Sequence, residues 1–390
     1  MKWLIVSYLV INPLFFLAGV HTRDVQQVCF QITSVIIFSC GMFLPNRAIK
    51  KSLLNVFLGV LILTFLVAWL RSMSGWTNAL NLILGIMVYI TIVRTMSKDD
   101  TRLIFKTVAW LSILAITWLM FQFLGWDMAN ITIKNTAGKL AQSAFFRHNS
   151  SMGLYFAQTL PLTMGFTPLG LLFLIPLKFS ECAGAWLGAI GGMFFFLWFR
   201  KRIFFWVLLI PIIAGVAFHT INKENYQSFN IRIPAWKRII PDIWKNPLGH
   251  GLDSFANPSK LGQWKYYQNI KTYEIIKIIK LDNNKWKPEK KMTLKDFESV
   301  MYLDHPHNEY IWLAYDIGVQ GLIVLGFIMY FIWKRFWNSR KDAQTVALMA
   351  FMISVGLCCL TQFSFHLARV GHMVPVVLGL FYLNTEEEEL

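Results

Sequence analysis

The sequence predicts an all-α polytopic membrane protein with about twelve transmembrane helices and one large loop on the outer side that contains interfacial helices. Of the 390 residues, 56% are hydrophobic and 15% are charged, whereas soluble domains average about 45–50% apolar and about 25% charged residues. The apolar residues also recur in runs of about 20, the length that crosses a bilayer as a helix. This composition excludes a soluble cytosolic enzyme, a disordered scaffold and a secreted disulfide-linked domain.

Twelve apolar runs carry the predicted transmembrane helices. They lie at residues 2–20, 26–44, 52–70, 75–93, 104–124, 151–165, 167–178, 182–199, 203–219, 308–333, 344–363 and 367–384. The sixth and seventh runs are short, and Pro161 and Pro168 lie within them. These two runs are therefore the least regular part of the predicted bundle.

The distribution of basic residues predicts that both termini lie in the cytoplasm. With the N-terminus inside, the short inner loops carry fourteen Lys and Arg residues, against seven in the short outer segments. The inner residues are Arg47, Lys50, Lys51, Arg94, Lys98, Arg102, Lys106, Arg200, Lys201, Arg202, Lys334, Arg335, Arg340 and Lys341. The outer residues are Arg23, Arg71, Lys134, Lys139, Arg147, Lys178 and Arg369. An even number of spans then returns the acidic tail to the cytoplasm.

A long polar segment, residues 220–307, interrupts the apolar runs. It divides the chain into residues 1–219 with transmembrane helices 1–9, the periplasmic loop 220–307, residues 308–385 with transmembrane helices 10–12, and the acidic tail 386–390. Loops of this length usually have a function of their own. Within it, Pro234 to Trp244 and Tyr266 to Leu281 mix aromatic residues and isoleucines with lysines. This pattern predicts amphipathic helices that lie on the membrane surface.

Ionisable residues are nearly absent from the middle of the predicted spans. Proton relays, voltage sensors and ion pathways need such residues inside the membrane, so a transporter or channel is disfavoured. All eight histidines instead fall on or near the outer face in this topology. Two explanations stay open: the outer side has more loop, or the histidines take part in acid–base chemistry, for which imidazole is suited near neutral pH.

Two sequence blocks carry the most specific pattern. The first, NIRIPAWKRIIPDIWKNPLGHGLDSF, runs from Asn230 to Phe255 and combines an arginine, an amphipathic helix and a glycine-rich turn. The second, HPHNEYIWLAYDIGVQG, runs from His305 to Gly321 at the start of the tenth predicted span. Together they resemble the signature of the bacterial O-antigen ligase superfamily, which also contains O-antigen polymerases and protein O-oligosaccharyltransferases. The resemblance implies about twelve helices and a periplasmic loop before a His-Asn motif.

Two further blocks resemble the same superfamily more weakly. Phe145 to Pro161 is similar to an Asn-containing start of a helix in the middle of the chain, with Asn149 at the matching position. Glu181 to Leu187 is similar to a segment in which relatives often carry Ser-Arg-Gly, but Cys182 and Ala183 stand in place of the first two. If that arginine binds phosphate in relatives, Arg147 or Arg369 supplies the charge here.

By resemblance, the protein transfers a glycan from undecaprenyl diphosphate to an acceptor hydroxyl on the periplasmic side of the bacterial inner membrane. The leaving diphosphate needs fixed positive charge, which arginine supplies through a planar fork that binds phosphate with two hydrogen bonds. Arg232 is the predicted residue. His307 holds the motif position and is the predicted general base, with His305 as second choice. The predicted substrate-binding residues are Arg147, Arg238, Asn308, Arg369 and Asp316.

Individual roles at the motif remain partly open. Asn308 either caps the following helix or binds sugar hydroxyls, and Asp316 is expected to orient a neighbouring group rather than to react. Glycines Gly249 and Gly251 permit positive φ and are expected to form a turn rather than a phosphate cradle. The outer loop shows no Asp-x-Asp motif, so we expect no metal and no other cofactor.

The acceptor distinguishes the activities within the superfamily. The chain is expected to lack the C-terminal soluble region that protein-modifying members often carry, which favours a ligase or a polymerase. Of the two we expect a ligase that acts on lipid A–core or another hydroxyl acceptor. An O-antigen polymerase and a protein O-oligosaccharyltransferase are the alternatives, and a non-catalytic membrane scaffold or a transporter is the alternative of a different class. The expected partners are the lipid-linked glycan, its acceptor and the bilayer, without nucleic acid.

Overall fold

The computed structural model describes most of the chain. The described residues are 1–14, 22–44, 52–73, 75–126, 133–134, 140–141, 144–146, 149–180, 182–200, 202–203, 227–255, 264–269, 275–280, 298–303, 306–362 and 371–385. Within them the chain is predominantly helical, as the sequence predicts. The ninth predicted span, residues 203–219, lies almost entirely outside the described residues.

Thirteen α-helices lie within the described part of the chain. They are α1 (Lys2–Leu14), α2 (Thr22–Met42), α3 (Leu53–Ser72), α4 (Trp76–Thr95), α5 (Asp100–Phe123), α6 (Asn149–Met164), α7 (Leu174–Phe179), α8 (Ala183–Arg200), α9 (Gln227–Lys245), α10 (Glu309–Ile317), α11 (Val319–Ser339), α12 (Ala343–Cys359) and α13 (Met373–Thr385). Two short 3₁₀ segments, Ala144–Phe146 and Pro168–Phe173, precede α6 and α7.

Five short strands form two small antiparallel sheets. They are β1 (Ile133–Lys134), β2 (Leu140–Ala141), β3 (Trp264–Asn269), β4 (Ile275–Lys280) and β5 (Glu298–Leu303). β1 pairs with β2, and β3 lies between β4 and β5 in the second sheet. In that sheet Tyr266 is opposite Ile278 on one side and Met301 on the other.

Six of the described helices are long and apolar enough to cross a membrane, which confirms a helical, multi-pass membrane protein. They are Val25–Met42 of α2, together with α3, α4, α5, α8 and α11. Four shorter apolar helices, Lys2–Leu14, Leu169–Phe179, Ala343–Cys359 and Met373–Thr385, fall on other predicted spans. The number of twelve spans and the orientation of the large loop therefore remain predictions.

The structure corrects two predictions about the loop and the tenth span. Residues from Tyr266 to Leu281 were expected to form an amphipathic helix, but the described part of this segment is the β3–β4 pair. An all-α protein is thus wrong for the loop, although Pro234 to Trp244 is helical as predicted. The tenth apolar run is two helices rather than one, because the chain breaks at Gly318, whose φ is +84°.

The chain divides into two compact units. The first comprises Met1–Ser52, Asn81–Phe205 and Phe331–Leu390, and the second comprises Leu53–Leu80 and Trp206–Tyr330. The second unit contains α3, α9, α10, the β3–β5 sheet and the first part of α11. Both motif blocks of the sequence fall within it, so the candidate site is described inside this unit alone.

Within the first unit, a stripe of small residues lets α8 pack closely against α12. Gly184, Gly188 and Gly192 recur every four residues and therefore share one face of α8. A Cβ atom at Gly188 would overlap Cys358 Sγ and would lie 2.7 Å from the carbonyl oxygen of Ser354. The close approach of the two helices thus depends on the absence of side chains along this stripe.

Candidate active site

The predicted base, His307, lies at the turn that starts α10. Its backbone is in the left-handed region, with φ at +51°, and its side chain is half-buried. Non-glycine residues adopt this conformation rarely, and such strained positions concentrate at functional sites. The turn therefore holds His307 in a conformation that the surrounding structure must stabilise.

Asn308 caps the helix that follows. Its side-chain Oδ1 accepts a hydrogen bond of 3.0 Å from the backbone N–H of Ile311, and its carbonyl oxygen accepts one of 3.0 Å from the N–H of Trp312. Asparagine is a favoured N-cap because its side chain pairs one of the free N–H groups of the first turn. Of the two roles open for Asn308 from sequence, the structure shows the cap.

A hydrogen bond joins the arginine helix to the histidine turn. Trp236 on α9 donates from its indole Nε1 to the carbonyl oxygen of Pro306, at 2.7 Å. Pro306 directly precedes His307, and Arg232 lies one helical turn before Trp236 on α9. This hydrogen bond therefore connects the helix that carries Arg232 to the residue that precedes His307.

The arginine itself lies on the buried face of α9. Arg232, Ala235, Ile239 and Ile243 are buried, and their spacing of three and four residues places them on one side of the helix. This side packs against α10. Only 9% of Arg232 is exposed, so its guanidinium is largely withdrawn from water, where its electrostatic effect is stronger than at the surface.

The glycine-rich turn after α9 caps the other end of α10. The backbone N–H of His250 donates to the carbonyl oxygen of Tyr315 at 2.8 Å. The backbone N–H of Gly251 donates to the backbone carbonyl oxygen of Asp316 at 2.9 Å. Carbonyl groups in the last turn of a helix have no partner within the helix. Here the first motif block supplies the donors, which explains why the two blocks occur together.

Gly249 and Gly318 allow the backbones of the two motif blocks to pass close to each other. Gly249 and Gly318 have φ angles of +80° and +84°. A Cβ atom at Gly249 would lie 2.5 Å from the carbonyl oxygen of Asp316, and one at Gly318 would lie 2.5 Å from the carbonyl carbon of Leu248. Both positions require glycine for the backbone conformation and for the close contact. The expectation of a structural turn is therefore favoured over a phosphate cradle.

Asp316 is a buried acceptor near the C-terminal end of α10. Its Oδ2 accepts a hydrogen bond of 2.9 Å from the backbone N–H of Asp253 and one of 3.1 Å from Nε1 of Trp312. Asp316 is 4% exposed. These contacts agree with the expected orienting role. Asp316 holds the turn after α9 and the indole ring of Trp312 in place.

His250, in the turn after α9, lies close to Asp242 on α9. His250 Nε2 is 3.3 Å from Oδ2 of Asp242, and the imidazole stacks on the ring of Tyr315 with centroids 4.2 Å apart. Neither residue is among the predicted site residues. Their separation of eight residues across the end of α9 gives no periodic signal that would have paired them.

The turn is also attached to α3. The backbone N–H of Leu252 donates to the carbonyl oxygen of Ala68 at 3.2 Å, and Arg71 Nη1 donates to the carbonyl oxygen of Leu248 at 2.5 Å. A helix long and apolar enough to cross the membrane thus supports the turn from outside the two motif blocks. This support is not predictable from the sequence, because the acceptors in both hydrogen bonds are backbone carbonyl groups.

The remaining predicted residues are described only in part. Arg238 lies on α9, but its side chain is outside the described residues. Arg147, Arg369 and His305 are likewise outside them. The question of which arginine compensates for Ala183 therefore stays a prediction.

Comparison with protein families supports the motif-based prediction. The family model for the O-antigen ligase matches residues 169–326, a range that contains both motif blocks and all the described contacts of α9 and α10. No match to the curated proteins was found. The match confirms the resemblance on which the sequence analysis rests, and residues 169–326 are similar to the O-antigen ligase family.

Proposed function

We propose that this protein is an O-antigen ligase that transfers a glycan from undecaprenyl diphosphate to a hydroxyl of lipid A–core on the periplasmic side of the inner membrane. The observation that carries the proposal is the hydrogen bond from Trp236 to Pro306. It links the helix of Arg232 to the turn of His307, so that one charged group and one titratable group are positioned by a common contact within the region matched by the family model.

Arg232 binds the diphosphate of the donor in this proposal. As the sugar leaves, negative charge grows on the bridging oxygen, and a guanidinium held in place stabilises that charge without rearranging. The burial of Arg232 on the packed face of α9 restricts the side chain, which lowers the entropy lost on binding. Arg238, Arg147 and Arg369 are proposed as further phosphate contacts.

His307 acts as the general base. The acceptor oxygen forms a bond to the anomeric carbon, and the bond between that carbon and the diphosphate oxygen breaks with its electron pair passing to the diphosphate. The acceptor hydroxyl loses its proton during the attack, and a neutral imidazole accepts it. The diphosphate is already a good leaving group, so the reaction needs no metal in this scheme.

The capping and orienting residues keep the base in place. Asn308 fixes the first turn of α10, while Asp316 ties the end of the same helix to the turn after α9. A short helix fixed at both ends restricts the displacement of His307, and small displacements of catalytic groups reduce rates strongly. Asn308 and Asp316 are thus proposed to act on substrate through geometry rather than by direct reaction.

The outer face of α9 suggests how the helix meets the lipid donor. Ile233, Ile240 and Trp244 are exposed, at 46%, 42% and 67%, and their spacing places them on one stripe of the helix. The exposed Lys237 lies on the same stripe. Apolar, indole and lysine side chains on one face are typical of helices in the membrane interface, where a polyprenyl diphosphate presents its phosphates.

A reconstituted transfer assay tests the proposed function. Purified protein in liposomes is supplied with undecaprenyl-diphosphate glycan and, in separate reactions, with lipid A–core, a second lipid-linked glycan or a pilin-like peptide. The proposal predicts product with lipid A–core, lost in Arg232→Ala and in His307→Ala. Product only with the second glycan indicates a polymerase, product only with peptide indicates a protein glycosyltransferase, and no product with any acceptor contradicts the enzymatic proposal.

A further inference from the structure

A cavity of about 830 Å³ lies where the C-terminal ends of α8 and α11 meet in the first unit. Four of the residues that line it are basic, namely Arg200, Arg202, Arg340 and Lys341, and none of the lining residues in the described part of the chain is acidic. All four belong to two of the basic clusters that predict the cytoplasmic face. The cavity therefore concentrates positive charge at one end of the helical bundle.

Aromatic side chains form a wall of the same cavity. Trp333 and Trp337 lie on neighbouring turns of α11 with ring centroids 6.0 Å apart, and Trp198 lies on α8. These three indoles are 42%, 48% and 39% exposed, in that order. Tryptophan is enriched where membrane hydrocarbon meets the headgroups, because its ring is apolar and its N–H is polar. The wall therefore has the properties of an interface with lipid.

The basic side chains are held at the rim of this wall. Arg200 Nη1 donates to the carbonyl oxygen of Lys341 at 2.9 Å, which connects the two helix ends. The guanidinium of Arg202 lies 5.3 Å from the ring centroid of Trp198, and that of Arg340 lies 4.5 Å from that of Trp337. Stacking on an indole holds an arginine near apolar surface while leaving its edge N–H groups able to bind an anion.

The carboxylate next to Lys341 in sequence is committed to another contact. Asp342 follows Lys341 directly, and its Oδ2 accepts hydrogen bonds from the backbone N–H and the hydroxyl of Thr345 at 2.8 and 2.7 Å. It thereby caps α12. A molecule that binds in the cavity thus meets four cations and an aromatic wall, while the carboxylate next to Lys341 in sequence is engaged in capping α12.

We propose that this cavity binds an anionic phospholipid of the surrounding leaflet, with its phosphates on the basic rim and its acyl chains along the indole wall. Basic pockets between membrane helices bind such headgroups through charge, and aromatic rings contact the upper acyl chains. Because four cations face the cavity and each phosphodiester carries one negative charge, we expect a lipid with two phosphates, such as diphosphatidylglycerol, to bind more tightly than phosphatidylglycerol. The inference does not depend on the proposed transferase reaction.

Lipid titration of the purified full-length protein tests this site. In nanodiscs of phosphatidylcholine, added diphosphatidylglycerol is expected to raise the midpoint of thermal unfolding, and native mass spectrometry is expected to retain one lipid molecule. Arg202→Gln combined with Lys341→Gln should weaken binding about tenfold or more, since each cation near an anionic headgroup contributes substantially. Both side chains are exposed, so the fold should persist.

A charge-matched variant serves as the control. Arg102→Gln combined with Lys106→Gln removes the same two residue types from exposed positions on α5, outside the cavity, and should bind the lipid as the unmodified protein does. Equal weakening in both variants overturns the site, because it indicates general attraction to charge. Equal stabilisation by inorganic phosphate at the same concentration also overturns the lipid proposal, because it indicates a site for free phosphate.

Discussion

The carboxylate of Asp316 accepts a 2.9 Å hydrogen bond from the backbone N–H of Asp253, which is 63 residues earlier in the chain. The same oxygen also accepts the indole N–H of Trp312. Asp253 is held with φ at +59°, so this bond stabilises a strained turn. The two motif blocks of the superfamily thus form one hydrogen-bonded unit.

Removing this acceptor should destabilise the protein. Asp316→Ala leaves a buried indole N–H and a partly buried backbone N–H without their acceptor, and each such loss costs about 1–3 kcal/mol. Asp316→Asn retains an amide oxygen that can accept and should lose less. The midpoint of thermal unfolding in detergent checks this order, and equal midpoints for Asp316→Ala and the unmodified protein contradict it.

The bond between the two catalytic elements should matter for rate more than for folding. Trp236→Phe keeps the aromatic ring but removes the N–H that bonds to Pro306. We expect kcat for glycan transfer to fall about tenfold to 100-fold, because small displacements of a catalytic group are costly. Trp110→Phe, on an indole that is 69% exposed on α5, is the control and should change kcat less than twofold. Similar losses in both variants contradict a positioning role.

The charge and the shape of Arg232 make separable contributions. Arg232→Lys keeps the charge but loses the planar fork, so it should retain part of the transfer activity, whereas Arg232→Ala should lose nearly all of it. Lys245→Ala, at the exposed C-terminal end of α9, is the control and should stay close to normal. Normal turnover by Arg232→Ala indicates that the diphosphate is bound elsewhere, and Arg147 and Arg369 are then the positions to change next.

The orientation in the membrane is open to cysteine labelling. Lys245 and Lys341 are both exposed, and the distribution of basic residues predicts that they lie on opposite sides of the membrane. In a background with the exposed Cys40 changed to Ser, Lys245→Cys should react with an impermeant maleimide in intact spheroplasts, whereas Lys341→Cys should not. The reverse labelling contradicts the topology and the periplasmic location of the site.

The sequence predicted features that depend on the length and composition of a segment, but not those that depend on pairing with a distant segment. Long apolar runs identified most described helices, because burial in lipid requires only length and composition. The segment IIKIIK, from Ile275 to Lys280, has apolar residues at spacings that fit a helix, but pairing with β3 makes it a strand. Short apolar runs are ambiguous between these periods, and the partner strand is not visible from local sequence.

The candidate site likewise combines residues that belong to local motifs with contacts between distant parts of the chain. Arg232 and His307 are predicted site residues because they belong to recognisable motifs. The support of the turn by Ala68 and Leu248 involves backbone carbonyls, which leave no trace in residue identity. The break of the tenth span at Gly318 depends on close contact with Leu248, and a single glycine in an apolar run does not indicate such a crossing.

The central claim is that His307 accepts the proton of the acceptor hydroxyl, and His307→Gly tests it with little structural cost. Since His307 has φ at +51°, glycine is compatible with its backbone, and the variant should unfold no earlier than the unmodified protein. General base catalysis contributes about 10²–10⁴-fold, so His307→Gly should lose that much single-turnover rate while still binding the donor lipid. His305→Ala should lose far less.

The deciding measurement is the single-turnover rate of glycan transfer as a function of pH in the unmodified protein and in His307→Gly. The neutral imidazole is the active form of a base, so the rate of the unmodified protein should rise with pH through the range in which histidine loses its proton. This rise should be absent in His307→Gly. Persistence of the same rise in His307→Gly, or mild and equal losses in His307→Gly and His305→Ala, contradicts the claim and assigns the base to another group.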